Sequence, residues 1–364
     1  MVLWHWQHFA YIGPELSKDF NVTFQPFYAL LRPFYEDGAR GAYYFFLLSG
    51  FIFFWRYQAS IAGRRTPFSL FWVQRLSRLY PLHLVTLLLV AGLQGLYIAR
   101  AGAPFVYRFN DAYHFLLNLG FASTWGFQAG LSFNGPVWSV SVEILLYLVF
   151  FGVAFLRLGR LWFCLAVAAL ALTLAGLEPD EGFMVGAGLF FLGGFVYQAT
   201  YLVSTRWPKL KPAIHLLAGL AWLLTFINFY VFNFAPPLRA MGVRTAFLTV
   251  VYPNTILFPL TVGSLALLEL DLGSRFLKPF SWVGDITYAS YLLHFPLQLV
   301  ASLAVSYGWL SRDFYLRRTS LAVFFLILIP LSYLTYVRFE RPVQAWLRRK
   351  FARRAEPGAE PSLN

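Results

Sequence analysis

Apolar runs long enough to cross a lipid bilayer recur along the whole sequence. Of its 364 residues, 59% are hydrophobic and 12% are charged, and that charged share is about half of the share usual in soluble domains. A membrane-spanning helix needs about 20 consecutive, mostly apolar residues, and a soluble core would not absorb so many continuous apolar stretches. The sequence therefore predicts an all-α, polytopic transmembrane helical bundle with no soluble domain.

The apolar runs predict about ten membrane spans, with ends placed to within several residues. Residues 1–340 would form the transmembrane domain, and residues 341–364 a tail that is first basic and then disordered. The expected spans are 1–12, 41–57, 79–99, 137–156, 161–177, 183–203, 213–233, 246–269, 286–306 and 319–338.

Basic residues predict the orientation of these spans. The loop 56–80 and the segment after residue 338 hold the two largest groups of arginines, and such groups favour the cytoplasmic side. Both chain ends would then be cytoplasmic, and the acidic loop 178–181 would face outside. The net charge of +13 is thus explained by topology and by membrane lipid as partner, with no nucleic-acid partner expected. We expect a multi-pass protein of the cell (inner or plasma) membrane.

The first apolar run differs from the others in length. It ends just before Pro14 and is far shorter than the roughly 20 residues that a span requires. No charged segment precedes it, as a signal peptide would require. We expect that Met1 lies within the first helix and that the natural chain begins upstream.

Glu143 is a carboxylate at the head of an apolar run that continues to Phe155. It belongs to the segment Asn134-Gly-Pro-Val-Trp-Ser-Val-Ser-Val-Glu143. An acid within a membrane costs about 2.5–3.5 kcal/mol on insertion scales and faces a polar cavity or a partner. We therefore expect a functional role, the alternative being a structural pair with an arginine.

Four further stretches carry polar residues within apolar surroundings. His5 follows Leu3-Trp4 on the first run, and Ser49 lies in Phe45-Phe-Leu-Leu-Ser-Gly-Phe51. The segment Phe71-Trp-Val-Gln-Arg-Leu-Ser-Arg-Leu-Tyr-Pro81 contains Arg75 and Arg78. Late in the chain, Trp282-Val-Gly-Asp-Ile-Thr-Tyr-Ala-Ser-Tyr-Leu-Leu-His294 places a histidine well inside a predicted span.

In order and spacing, these stretches resemble the membrane acyltransferase family 3 over nearly the whole chain. The sequence departs from that family in two ways: Ile144 follows Glu143 where a second acid often stands, and the usual arginine eleven residues before the first-helix histidine would precede Met1. The resemblance implies an acyltransferase of the EC 2.3.1 type. It would move an acyl group, usually acetyl from acetyl-CoA, to a hydroxyl of a glycan, a lipid-linked sugar or a small metabolite.

The chemistry of such a transfer suggests catalytic roles for two residues. A neutral histidine is the best general base near pH 7, and we predict that His5 takes this role or carries the acyl group transiently. Glu143 would orient the imidazole, as a carboxylate does in a catalytic triad. The alternative for His5 is an interfacial histidine within an aromatic belt, because Trp4 and Trp6 flank it.

Arg75 and Arg78 lie three residues apart and therefore share one helix face. Since the guanidinium fork suits phosphate, we predict that they bind coenzyme A; the alternative is that they only anchor the topology. Five further residues are expected to contact the acyl group or the acceptor: Ser49, Trp138, Ser139, Ser141 and His294. The alternative for Ser49 is helix packing, and the alternative for His294 is a structural role. Acceptor contacts are also expected in the outer loop 100–136.

Other functional classes remain open at this point. No zinc-ligand spacing and no glycine-rich phosphate loop occurs, and the single Cys164 cannot form a disulfide framework, so we expect no metal. A proton-coupled transporter or flippase could use His5, Glu143 and His294 as a proton relay, although the internal repeat of many transporters is missing. A third possibility is a membrane protein that binds substrate without catalysis.

Overall fold

The computed structural model describes residues 1–177, 182–242, 244, 246–273 and 278–355. Within these residues, helices and one short β-hairpin are the regular elements, and loops join them. The helices in chain order are α1 (Tyr28–Glu36), α2 (Gly41–Arg56), α3 (Gln58–Ala62), α4 (Phe68–Ala101), α5 (Ala112–Leu119), α6 (Trp138–Phe155), α7 (Leu161–Leu177), α8 (Gly182–Arg206), α9 (Lys211–Tyr230), α10 (Ala235–Ala240), α11 (Phe258–Leu272), α12 (Ser281–Ser306), α13 (Arg318–Thr335) and α14 (Arg341–Ala355).

Shorter helical segments extend or precede several of these helices. The 3₁₀ segments are Trp4–Ala10, Val22–Phe24, Gly38–Arg40, Gly135–Val137, Pro208–Leu210, Lys278–Phe280 and Arg312–Leu316. The π-helical segments are Phe247–Val251, Pro253–Leu257 and Tyr336–Glu340. The last π segment joins α13 to α14, so the two form one continuous rod.

Seven helical segments in the described part of the chain are long and apolar enough to cross a membrane. The segments are Phe68–Ala101, Gly135–Phe155, Gly182–Arg206, Pro208–Tyr230, Phe247–Leu272, Lys278–Ser306 and Arg318–Phe351. Two more predicted spans form apolar helices that are shorter than these seven segments: α2 has 16 residues and α7 has 17. The transmembrane helical bundle is therefore confirmed, whereas ten full-length spans are not.

The predicted first span, 1–12, is wrong. Trp4–Ala10 forms a 3₁₀ segment, and Tyr11–Ile12 (β1) then pairs antiparallel with Glu15–Leu16 (β2). The turn between them contains Gly13 at a φ of +61°, a conformation that glycine adopts without steric cost. Trp6, Phe9 and Ala10 of this segment are buried inside the bundle, whereas Ile12 in the hairpin is exposed. The hydrophobicity of the 3₁₀ segment therefore reflects burial against other helices.

Two helices extend beyond the predicted boundaries. Helix α4 begins at Phe68, eleven residues before the expected span, so Arg75 and Arg78 lie within it. The basic stretch after residue 340 forms α14, which packs against the start of α4. The acidic loop 178–181 and the tail 356–364, which we predicted to be disordered, lie outside the described residues.

The core of the bundle lies where α2, α6 and α8 meet. A Cβ added to Gly50 would lie 1.8 Å from the carbonyl oxygen of Phe190, and one on Gly193 would lie 2.0 Å from that of Leu47. Only glycine permits such a close approach of two helices, and small residues commonly serve this purpose in membranes. Buried aromatic rings fill the space beside this contact: Phe53, Phe54, Tyr147, Phe150 and Phe190.

Candidate active site

The 3₁₀ segment Trp4–Ala10 positions the first histidines. Trp6 is fully buried, and its indole N–H donates a hydrogen bond of 2.9 Å to the carbonyl oxygen of Tyr315. Its ring packs edge-on against Phe324 of α13. Because a 3₁₀ helix has three residues per turn, His5 and His8 lie above each other on one side of the segment, and both are buried.

A chain of hydrogen bonds links these two histidines to α12. Nδ1 of His5 lies 3.1 Å from Nε2 of His8, and Nδ1 of His8 lies 2.9 Å from Oε1 of Gln298. The amide nitrogen of Gln298 donates in turn to the carbonyl oxygen of His5 at 2.9 Å. Gln298 is completely buried, so α12 holds the histidine pair from inside the bundle.

His294 completes a group of three histidines. Its ring centroid lies 4.9 Å from that of His5, and its Nδ1 lies 2.6 Å from the carbonyl oxygen of Tyr291. A carbonyl oxygen only accepts, so Nδ1 carries the proton and Nε2 is an acceptor. This Nε2 is buried without a partner among the described residues. Buried polar atoms are normally hydrogen-bonded, so this orphan acceptor is an exception, and its ring lies beside that of His5.

The loop 100–136 contributes one aromatic ring to the histidines. The hydroxyl of Tyr107 lies 3.5 Å from Nε2 of His8, and its ring fits against Gly135, where a Cβ would lie 2.3 Å from the ring. Thus the Asn134-Gly-Pro segment leaves room for Tyr107 to reach the site. Contact between loop 100–136 and the acceptor stays a prediction.

Glu143 lies in a different polar contact. Oγ of Ser49 donates a hydrogen bond of 2.7 Å to its Oε1, and both side chains are half-buried. His5 makes its hydrogen bond with His8 and not with Glu143. The structure therefore brings Ser49 and Glu143 together, but it does not form the expected direct pair of His5 and Glu143.

Ser139 and Ser141, which precede Glu143 in the same segment, have different partners. Oγ of Ser139 lies 3.0 Å from the hydroxyl of Tyr291, which also donates to the carbonyl oxygen of Pro136. Ser141 is fully buried; its hydroxyl donates to the carbonyl oxygen of Phe121 at 2.6 Å and accepts from a loop N–H at 3.2 Å. Ser141 therefore anchors the loop before α6, and its hydroxyl proton is already donated to the backbone.

Trp138 also has a packing contact. Its ring lies edge-on to that of Phe46, with 6.0 Å between the centroids, and its carbonyl oxygen accepts a hydrogen bond from Thr124. The side chain is half-buried. It lies one residue before Ser139, at the start of α6.

Arg75 and Arg78 lie on the wall of a polar cavity of about 260 Å³, called the arginine cavity below. The side-chain Nε of Arg75 is buried without a partner among the described residues, while another nitrogen of its guanidinium donates to the hydroxyl of Tyr57. Helices α4, α12 and α14 and the π segment before α14 form the cavity, which is lined by Arg75, Arg78, Asp285, Tyr288, Tyr336, Glu340, Gln344 and Arg348.

One face of α12 connects this cavity with the histidines. Asp285, Tyr288, Tyr291, His294 and Gln298 follow each other at intervals of three or four residues, which is the spacing of one helix face. Asp285 and Tyr288 line the cavity, while His294 and Gln298 contact the histidine group. At 1.5 Å of rise per residue, Tyr288 and His294 are separated by about 9 Å along the axis.

Comparison with known proteins decides the family. The model of an acyltransferase domain, Acyl_transf_3, matches residues 1–337. The chain belongs to acyltransferase family 3. A similar protein is "Acyltransferase MdmB" of Streptomyces mycarofaciens, 34% identical over 133 residues. The aligned region covers 35% of this chain and 32% of that protein, so the chain spans about a third of the relative's length. No solved structure matches the chain.

Sequence reasoning did not assign Gln298, Tyr291 or Arg348 to the site. Gln298 lies four residues after His294 on the same helix face, and this spacing was the available signal. Arg348 stands in a run of basic residues, where nothing in the local sequence separates a cavity-facing arginine from its neighbours. Among the described residues, no group of His, Cys, Asp and Glu could hold a metal ion.

Proposed function

We propose that the protein is an integral-membrane O-acyltransferase that uses acyl-CoA, most simply acetyl-CoA, to acylate a hydroxyl of a glycan, a lipid-linked sugar or a small metabolite. The observation that supports this most directly is the single face of α12 that leads from the arginine cavity to His5 and His294. A donor with a phosphorylated head and a reactive thioester needs two such chemically different regions within reach of each other.

The arginine cavity suits the phosphorylated end of coenzyme A. Arg75, Arg78 and Arg348 all line it, and the planar guanidinium group binds phosphate oxygens in a bidentate manner. The predicted orientation places this end of α4 and α12 on the cytoplasmic side, with the C-terminus. Coenzyme A is cytosolic, so the donor would enter the cavity directly.

The histidine group suits the reacting end. His5 would accept the proton of the acceptor hydroxyl as its oxygen forms a bond to the thioester carbonyl carbon. When the carbon–sulfur bond breaks, His5 would return that proton to the departing thiolate, so that the base is regenerated. General-base catalysis of this kind contributes about 10²–10⁴-fold to rate. Glu143, hydrogen-bonded to Ser49, stays a proposed catalytic residue through its charge and not through contact with His5.

The test is thioester consumption by the purified protein in nanodiscs, with acetyl-CoA as donor and water or a panel of methyl glycosides as acceptor. We expect release of free thiol by the wild type and a loss of about 10²–10⁴-fold for His5→Ala. The matched control is His215→Ala. His215 forms a 2.8 Å hydrogen bond with Ser264, and neither residue belongs to the histidine group. Absence of thioester consumption, together with solute flux driven by a pH gradient, would instead indicate a transporter.

A further inference from the structure

We propose that His8 and Gln298 are positioning residues that fix the tautomer of His5, so that its Nε2 is the unprotonated, reacting nitrogen. This proposal rests on the proposed acyl transfer for its catalytic consequence. Its structural basis is the hydrogen-bond chain that runs from the amide of Gln298 through His8 to His5.

The direction of the chain is set at Gln298. One terminal atom of its side-chain amide lies 2.9 Å from the carbonyl oxygen of His5. The other terminal atom lies 2.9 Å from Nδ1 of His8. A backbone carbonyl oxygen only accepts, so the atom that faces it is the NH₂ group. Oε1 therefore faces His8, and Nδ1 of His8 carries the proton that it donates to this oxygen.

The tautomer of His8 then determines that of His5. Both rings are buried, and within the described chain no carboxylate forms an ion pair with either. A buried, unpaired charge is costly, so both imidazoles are neutral at rest. Neutral His8 with a proton on Nδ1 has an acceptor at Nε2. His5 consequently donates from Nδ1 across 3.1 Å, and its own Nε2 is left with a lone pair.

Two further contacts agree with this assignment. The hydroxyl of Tyr107 lies 3.5 Å from Nε2 of His8, at the limit of hydrogen-bond length, so the contact with His5 at 3.1 Å is the stronger one. In the described residues, Nε2 of His5 has no hydrogen-bond partner, and the ring of His294 lies beside His5. The two rings whose Nε2 atoms lack a partner among the described residues therefore lie side by side.

The arrangement gives His8 the part that a carboxylate has in a catalytic triad. When Nε2 of His5 takes a proton from the acceptor hydroxyl, the resulting imidazolium donates more strongly from Nδ1 to His8. Gln298 cannot accept a proton, so the charge stays on the histidine pair. An incorrect tautomer would remove the base while leaving the site otherwise intact, because Nε2 would then carry a proton from the start.

The first measurement needs no activity. Uniform ¹⁵N labelling of the six histidines and magic-angle-spinning NMR in bilayers at pH 7 report which ring nitrogen is protonated, and His5→Ala and His8→Ala assign the signals by subtraction. We expect protonated Nδ1 and unprotonated Nε2 at both residues. A protonated Nε2 at His5 in the wild type would overturn the proposal, whether or not the protein consumes acetyl-CoA.

The second measurement uses variants and the thiol-release assay. Gln298→Leu removes the acceptor for His8, and we expect mixed tautomers and a kcat lower by about 10- to 100-fold, within the general-base contribution, with little change in KM for acetyl-CoA. Gln298→Glu keeps an acceptor and is expected to recover most of this kcat. The kcat of His8→Gln should likewise be higher than that of His8→Leu, because a glutamine oxygen can replace the accepting Nε2 of His8.

Gln94→Leu is the matched control. Gln94 is also a buried glutamine with two hydrogen bonds, and both of these join it to the backbone of Phe105 and not to a histidine. We expect Gln94→Leu to lower stability about as much as Gln298→Leu while the histidine spectrum stays unchanged. If Gln298→Leu has the kcat and the histidine tautomers of the wild type, the proposal is overturned. If the wild type consumes no thioester, the proposed function is overturned instead. The NMR spectrum would still decide the tautomer of His5 in that case.

Discussion

The hydroxyl of Ser49 donates a 2.7 Å hydrogen bond to Oε1 of Glu143 and so joins α2 to α6. We expect Ser49→Ala to lower the free energy of unfolding by about 1–2 kcal/mol, the upper range for hydrogen bonds in membrane proteins, because the half-buried carboxylate loses a donor. Unfolding in mixed micelles with increasing dodecyl sulfate measures this. The control is Ser332→Ala, whose buried hydroxyl bonds only a carbonyl of its own helix. An equal effect in both variants would contradict the bridging role.

The contact between α2 and α8 predicts an unequal response to two glycine substitutions. Gly50→Ala would place a Cβ 1.8 Å from the carbonyl oxygen of Phe190, so the helices must separate, and we expect a loss above about 4 kcal/mol or no folded protein. In the described part of the chain, a Cβ on Gly152 in α6 would meet no atom of another element within 4 Å, and Gly152→Ala is expected to be neutral or to stabilise by up to about 1 kcal/mol. Yield and thermal unfolding in detergent measure both. Normal stability of Gly50→Ala would refute this helix packing.

The orphan Nε2 of His294 predicts an effect on catalysis. Since this acceptor is buried beside His5 without a partner among the described residues, we expect it to bind a donor group of the substrate, and His294→Phe to reduce acyl transfer about tenfold or more. His83→Phe is the control. His83 is likewise buried, with one ring nitrogen on a carbonyl oxygen and the other unpaired, but its ring stacks on Phe121 and not on His5. Transfer rates at saturating acetyl-CoA separate the two, and equal losses would indicate that both histidines are structural.

The cavity between α4 and α14 predicts that one arginine of the basic tail binds coenzyme A. Arg348 lines the cavity, whereas the adjacent Arg349 is exposed. Because charge-assisted hydrogen bonds contribute about 1.5–3 kcal/mol, we expect Arg348→Gln to raise the Kd for coenzyme A about tenfold or more. Arg349→Gln should change it less than about twofold. Isothermal titration at constant ionic strength measures both, and similar values would place the phosphate groups elsewhere.

The sequence by itself determined the class of structure and the order of its polar motifs. Hydrophobicity is a local property, and a continuous apolar run in lipid must be helical because its backbone groups have no other partners. For this reason every predicted span except the first coincides with a helix. The same motifs were sufficient to predict the acyltransferase family, which the match over residues 1–337 confirms.

Only the tertiary structure decided which polar groups meet. His5 hydrogen-bonds His8 and, through its carbonyl oxygen, Gln298, which lies 293 residues later, whereas Glu143 pairs with Ser49. The rotation of each helix about its axis selects these partners, and close contacts such as that of Gly50 with Phe190 set this rotation. The segment 1–12 shows the same limit, because its composition cannot distinguish a span from an apolar 3₁₀ segment that the surrounding helices bury.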